Sequence, residues 1–145
     1  MTIHPVQPAD KAEWLRMRKA LWDEYDEHDG DLEQYLSGQR PNCQVMIAKT
    51  AQGKTCGFIE VGSRSYAEGC ETSPVAYIEG WYVDPNMQKQ GIGRKLVQAA
   101  EAWAKQQGFT EIASDTWLEN EGSIQAHKAL GYEEMERLVC FAKQL

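Results

Sequence analysis

The sequence predicts a single mixed α/β domain, a mostly antiparallel sheet with helices on both faces. Three observations carry this expectation. Runs with period-two alternation recur at residues 43–49, 55–65 and 75–83. Stretches with helical character flank them, two before and two after. The order is a strand, two helices, a run of antiparallel strands, then strand, helix, strand, helix, strand, and such mixtures form a sheet covered on both sides. A chain of 145 residues, 42% hydrophobic, suits one domain spanning 1–145 with a sizeable core. It shows no repeat, low-complexity tract or linker.

Each element has its own warrant. TIHPV, at the start, reads as a short strand. Residues 8–21 read as a helix with Ala12, Leu15, Ala20 and Trp22 near one face and Asp10 as its cap. DEYDEHDGDLE, residues 23–33, holds seven of the 22 acids. It reads as a helix boundary at Asp29-Gly30 with a second helix from Asp31, and equally as a solvated acidic loop and helix face. Gln52-Gly53 turns a hairpin between residues 43–49 and 55–65. VAYIEGWYV follows Ser73-Pro74 as a third strand and ends at Asp84-Pro85. The next helix lines up Ile92, Leu96, Ala100, Trp103 and Ala104, and Gly108 suits its C-cap. EIASD reads as a short strand, 121–129 as a helix and 138–142 as a last strand.

The formal net charge is -7, from 22 acids and 15 bases. That argues against a nucleic-acid binder, which needs a basic face. It fits a cationic partner, or solubility alone. No apolar run is long enough to span a bilayer, and the N-terminus lacks the pattern of a signal peptide. Cys43, Cys56, Cys70 and Cys140 show no CxxC spacing and read as reduced thiols of a cytoplasmic protein. The three histidines are scattered, so no metal site is expected.

The stretch QKQGIGRKLV, residues 88–97, carries a specific signal. Arg94 and Lys95 stand in the first turn of a helix, where the macrodipole is already positive. Free N–H groups at a helix start bind anions, glycines let a phosphate approach, and the two cations then have a partner. A P-loop would need Gly-Lys followed by Ser or Thr. A dinucleotide fingerprint would need glycine where Leu96 stands. A plain glycine turn before an amphipathic helix is the bland alternative.

The arrangement V-D-P-x-x-Q-x-x-G-x-G, with Gln88-Lys89-Gln90-Gly91-Ile92-Gly93, resembles the pyrophosphate loop of the GCN5-related N-acetyltransferases (GNAT). Asn120, His127 and Gly131-Tyr132 resemble that family's late helix. The resemblance spans the chain. It implies the acyl-CoA N-acyltransferase fold, with splayed central strands, and acetyl-CoA as co-substrate without a metal. Trp81, Tyr82 and Val83 would face the pantetheine, a backbone N–H near Val83 would polarise the thioester, and Gln88, Lys89, Gln90, Gly91, Ile92, Gly93, Arg94 and Asn120 would complete the donor site. Gly80 is a candidate bulge.

LWDEYDEHDGD, SRSYAEGCETSPVAYIEGWYVDP, ASDTWLEN and LGYEEMER resemble the aminoglycoside 6'-N-acetyltransferases more closely. The resemblance implies an aminoglycoside 6'-amine as acceptor, antibiotic resistance, and a homodimer. The residues agree with a polycationic acceptor. Glu79 lies within an apolar strand, on one face with Tyr77 and Trp81 by alternation, and is the candidate base. Asp115 would hold the sugar rings, and Tyr66 would position the acceptor or protonate the thiolate. Trp22 and Tyr25 would line the acceptor site; packing alone is their bland reading. The resemblance also implies that Glu136 reaches the acceptor site, its own or that of a partner subunit. His127 stands where many members of the family place a tyrosine acid, and it could donate a proton or simply pack. The same fold acting on a small polyamine or a protein N-terminus is the alternative. A non-catalytic acyl-CoA sensor is the third reading.

Overall fold

The computed structural model describes residues 1–145. Strand β1 (Thr2–Pro5) leads through a 3-10 turn (Pro8–Asp10) into α1 (Lys11–Leu21) and α2 (His28–Leu36). Strands β2 (Gln44–Lys49), β3 (Thr55–Arg64) and β4 (Val75–Val83) follow, then a 3-10 turn (Pro85–Met87). Helix α3 (Ile92–Gln106), β5 (Ile112–Ser114) and α4 (Glu121–Ala129) complete the order. The five strands lie in sequence order, antiparallel except for the parallel β4–β5 pair.

Alternation along the strands sorts the core into two layers. Val45, Ile47 and Phe58 pack with Trp14, Met17 and Leu32 of α1 and α2. Ala48, Ile59, Val61 and Ile78 pack with Ile92, Leu96, Val97 and Ala100 of α3 on the other face. Leu96 is fully buried, so truncating it to alanine costs about 2–5 kcal/mol.

The buried face of α1 is Trp14, Met17 and Arg18, whereas the sequence reading put Ala12, Leu15 and Ala20 there. Ala12 and Ala20 are exposed, because the bulky Trp14 and Met17 claim the sheet side. Asp10 does not cap α1 with its side chain. It accepts from the Gln7 N–H at 2.8 Å and pairs with Lys49 at 3.0 Å. Helix α1 stops at Leu21, since Trp22 leaves helical geometry, and α2 starts at His28 rather than Asp31. The buried His28 ring bonds back to the Trp22 carbonyl at 2.9 Å and sets that start.

The expected last strand at 138–142 is absent. Residues 132–145 carry neither helix nor strand, and Leu138, Val139 and Phe141 are exposed. A strand needs a neighbour to bond, and none of this chain's strands pairs with that segment.

Candidate active site

The site is organised by an irregularity in β4. Glu60 pairs with Gly80 and Val61 with Ile78, so Glu79 is the extra residue of a bulge. The bulge therefore lies at Glu79, next to the glycine that the sequence nominated. Its consequence overturns the expected shared face of Tyr77, Glu79 and Trp81. Past the bulge the alternation shifts by one, and Trp81 joins Ile78 on the α3 side. Glu79 stays on the α1–α2 side, in a cleft of about 840 Å³.

That cleft is lined by Trp22, Tyr25, Asp31, Glu60, Glu79 and Trp117, among others. Trp22 lies against the backbone beside the bulge: a Cβ at Gly80 would stand 2.5 Å from its ring. At the floor, Arg18 joins α1 to the sheet. Its Nε sits 2.8 Å from Glu60, and its Nη1 3.2 Å from Asp31. Trp14 Nε1 donates to Glu60 at 3.0 Å, and Tyr25 donates to Asp31 at 2.8 Å. Burial pushes the Glu60 carboxyl above its ordinary value, against the pull of Arg18 and the Trp14 hydrogen bond. The cleft is thus rich in carboxylates but internally braced by arginine.

At the rim, Glu79 takes a two-point hydrogen bond from Arg64, at 2.9 and 2.6 Å. Asp115, just past β5, accepts from the Tyr77 hydroxyl at 2.7 Å. Burial first, and this hydrogen bond second, push the Tyr77 hydroxyl well above the ordinary tyrosine value. The structure therefore brings Glu79, Trp22, Tyr25 and Asp115 to one side of the sheet. Tyr66 stands in the exposed loop between β3 and β4, outside the lining of the cleft. The Glu111 carboxylate anchors that loop by accepting from Thr72 N–H at 2.7 Å, Thr72 Oγ1 at 2.6 Å and Glu71 N–H at 2.9 Å. Glu136 lies in the exposed C-terminal segment and joins no ion pair in this chain.

The opposite side of the bulge faces α3. Strand β4 pairs with β5 only from Ala76 to Ile78, so its edge from Trp81 to Val83 has no β5 partner. The loop after β4 turns through left-handed backbone at Lys89 (φ 62) and Gly91 (φ 83). A residue with a Cβ is strained in that conformation, and glycine is not. Gly93 has a different reason: a Cβ there would lie 3.1 Å from the Trp81 ring. The two glycines set the turn and bring the start of α3 onto β4. The first N–H groups of α3 then point outward without intrahelical partners. Arg94 and Lys95 beside them form no salt bridge. A cradle of free N–H groups and two unpaired cations fits a phosphate-bearing ligand.

Other nominated residues divide. Trp81 packs its ring edge-on to His127 at 5.1 Å, and its buried Nε1 has no partner. Tyr82 points the other way, against Phe58. Gln88 folds back on the Val83 carbonyl at 3.3 Å. Ile92 is buried in the core, which leaves its backbone for any ligand. The Asn120 side-chain oxygen caps α4 through Ser123 N–H at 3.1 Å. His127 is held at both nitrogens, 2.7 Å from the Ser123 carbonyl and 2.8 Å from Ser114 Oγ. The carbonyl fixes Nδ1 as donor, so in the neutral ring Nε2 accepts from the Ser114 hydroxyl.

The sequence alone does not single out Arg64, Glu60 or Arg18. Glu60 carried a usable signal, an acid inside the apolar run CGFIEVG, the same one that singled out Glu79. Arg64 carried none, because its meeting with Glu79 depends on the β3–β4 register.

Comparison with known proteins agrees with this geometry. The chain is 45% identical to the aminoglycoside N(6')-acetyltransferase type 1 of Klebsiella aerogenes, over 99% of this chain and 96% of that one. It is 42% identical to the enzyme of that name from Stenotrophomonas maltophilia, over 99% and 94%. Its fold matches the solved AAC(6')-Iy in complex with the bisubstrate analogue CoA-S-monomethyl-acetylneamine. The TM-score there is 0.90 at 34% identity, covering 99% of this chain and 98% of that one. The aminoglycoside 6'-N-acetyltransferase AAC(6')-Ih of Acinetobacter baumannii matches at 0.88 and 36% identity, over 99% and 98%. The acetyltransferase (GNAT) family model covers residues 14–132, and with the bulged β4, the glycine turn and the open strand edge in place, the chain belongs to that family.

Proposed function

We infer that the protein transfers the acetyl group of acetyl-CoA to the 6'-amine of aminoglycosides and so confers resistance to them. One observation carries the reading: the β4 bulge puts a carboxylate-rich cleft on one side of the open strand edge and the α3 start on the other. Relatives at 45% and 42% identity bear the name of this activity.

The donor's phosphates suit the N–H groups of Gly91 to Gly93 with Arg94 and Lys95 alongside. The pantetheine arm suits the unpaired β4 edge from Trp81 to Val83. A thioester carbonyl ending there would meet a backbone N–H, which stabilises developing negative charge. The acceptor enters as an ammonium. It gives a proton to Glu79, directly or through water, and the free amine attacks the thioester. Nitrogen–carbon bond formation leaves a positively charged nitrogen, which gives its second proton to solvent; collapse then expels the thiolate, which takes a proton from Tyr66, from a protonated His127 or from solvent. Asp115, Asp31 and the rings of Trp22 and Tyr25 hold the sugar rings. Proximity supplies most of the acceleration.

The working form is a cytoplasmic homodimer. The C-terminal segment leaves Leu138, Val139 and Phe141 exposed, and β5 stands at the sheet edge. Pairing the segment with a second copy would cover those side chains and carry Glu136 toward that copy's cleft. Light scattering on the full chain and on a chain ending at Tyr132 tests this; a monomeric full chain refutes it. The activity is tested by NMR of the product formed from acetyl-CoA and an aminoglycoside with a 6'-amine. Acetyl on the 6' nitrogen supports the reading. Acetyl on another nitrogen, or transfer to spermidine alone, overturns it.

A further inference from the structure

The two acceptor carboxylates share a resident cation. Arg64 ends β3, opposite Val75. Its Nε and Nη2 bond both oxygens of Glu79. Its Nη2 also lies 3.8 Å from Asp115, and its guanidinium carbon 3.7 Å from the centre of the Tyr77 ring. Tyr77 in turn donates to the same Asp115 oxygen. Two carboxylates and one guanidinium leave this cluster one negative charge. An acceptor ammonium that approaches Glu79 therefore arrives as the second cation on one carboxylate.

We propose that Arg64 is a positioning and specificity residue of the acceptor site. It fixes the plane of the Glu79 carboxylate through a fork-shaped, two-point bond that lysine cannot reproduce. It also repels an ammonium at Glu79 while leaving a neutral amine, the form that attacks, unaffected. The same repulsion disfavours acceptors that crowd a second ammonium near the reacting one. The Tyr77 face keeps the guanidinium in place by a cation–π contact, so Arg64 is held from two directions while remaining partly exposed. The proposal rests on the acetyltransferase reading above.

Arg64→Gln and Arg64→Lys separate the two roles. The probe is an aminoglycoside with a 6'-amine, titrated calorimetrically at low and high salt, with turnover measured in parallel. Arg64→Gln is expected to bind the probe roughly three- to fivefold more tightly at low salt, the scale of one exposed charge contact. The gap closes at high salt as screening sets in. Its kcat falls by about tenfold or more, from loss of Glu79 orientation. Arg64→Lys regains wild-type affinity but not kcat. A purely structural role would weaken binding and turnover together, without the salt dependence. Equal or weaker binding by Arg64→Gln overturns the proposal, as does full kcat in Arg64→Lys. If the wild-type protein acetylates no aminoglycoside, the functional reading falls, and the titrations still decide whether Arg64 opposes a polycation at this cluster.

Discussion

Replacing Arg18 by methionine strands a carboxylate under the acceptor cleft. Arg18 reaches Glu60 at 2.8 Å with its side chain 8% exposed, and Glu60 is 16% exposed. Methionine fills the space of the stem but supplies no charge, leaving Trp14 Nε1 as the remaining bond to Glu60. Breaking a buried pair from one side costs about 3–5 kcal/mol. Some water reaches this pair, so the low end, about 3 kcal/mol, applies. In a domain of this size that lowers Tm by about 6–12 °C. Glu60 also fixes how the loss depends on pH. Its folded value lies above the ordinary 4.5 because burial outweighs Arg18. Its contribution to stability is full below the unfolded value and is lost as pH rises through the folded one. Without Arg18 the folded value climbs further, so the variant's deficit opens as pH rises through the wild-type folded value, which lies above 4.5, and levels off at the variant's own. Adding Glu60→Gln removes the stranded charge yet still accepts from Trp14, and it recovers most of the loss. Thermal melts of the wild type, single and double variants at acid and mildly alkaline pH provide the assay. A deficit under about 1 kcal/mol, or a double variant no more stable than the single, would refute the reasoning.

Other consequences are as specific. Gly91→Val places a branched side chain at φ 83, a strain of about 1–2 kcal/mol, and should weaken acetyl-CoA binding by about tenfold while sparing the acceptor site; an unchanged donor constant in calorimetry counts against the phosphate cradle. Glu79→Gln should lower kcat by about 10² with the acetyl-CoA KM unchanged, and unaltered turnover removes Glu79 as base. Glu111→Ala should free the loop carrying Tyr66 and lower kcat/KM. The Thr72 hydroxyl and N–H hold the Glu111 carboxyl below its ordinary 4.5, so its anchoring is complete above that value and lost as pH falls through the folded one. Hydrogen-exchange protection in the loop, taken relative to the intrinsic rate at each pH, should therefore fall in acid in the wild type, and be already low in the variant; protection that does not change with pH would contradict this.

The parts of the fold legible in the sequence are those set by local chemistry. Strand β4 ends where Asp84-Pro85 forbids continuation, and α4 begins where Asn120 caps it. Helix α3 follows from a clean apolar stripe and two glycines. What escaped was set by distant partners. The face of α1 was decided by which side chains the sheet accepts. The last strand failed because no strand of its own chain pairs with it. The bulge at Glu79 reversed the expected side of Trp81: Gly80 marks the place in VAYIEGWYV, but not the shift of alternation that follows it. Arg64 became visible only once the β3–β4 register had set it on the face of Tyr77 and Glu79. Of the acceptor residues carried over by resemblance, Trp22, Tyr25 and Glu79 line one cleft, whereas Tyr66 and Glu136 lie outside its lining.

The most direct test mixes the purified protein with acetyl-CoA and two aminoglycosides, one bearing a 6'-amine and one a 6'-hydroxyl, and follows thiol release. The account predicts release with the amine and none with the hydroxyl. Release with both would place the acetylated nitrogen elsewhere, and release with neither would contradict the acceptor assigned to the cleft around Glu79.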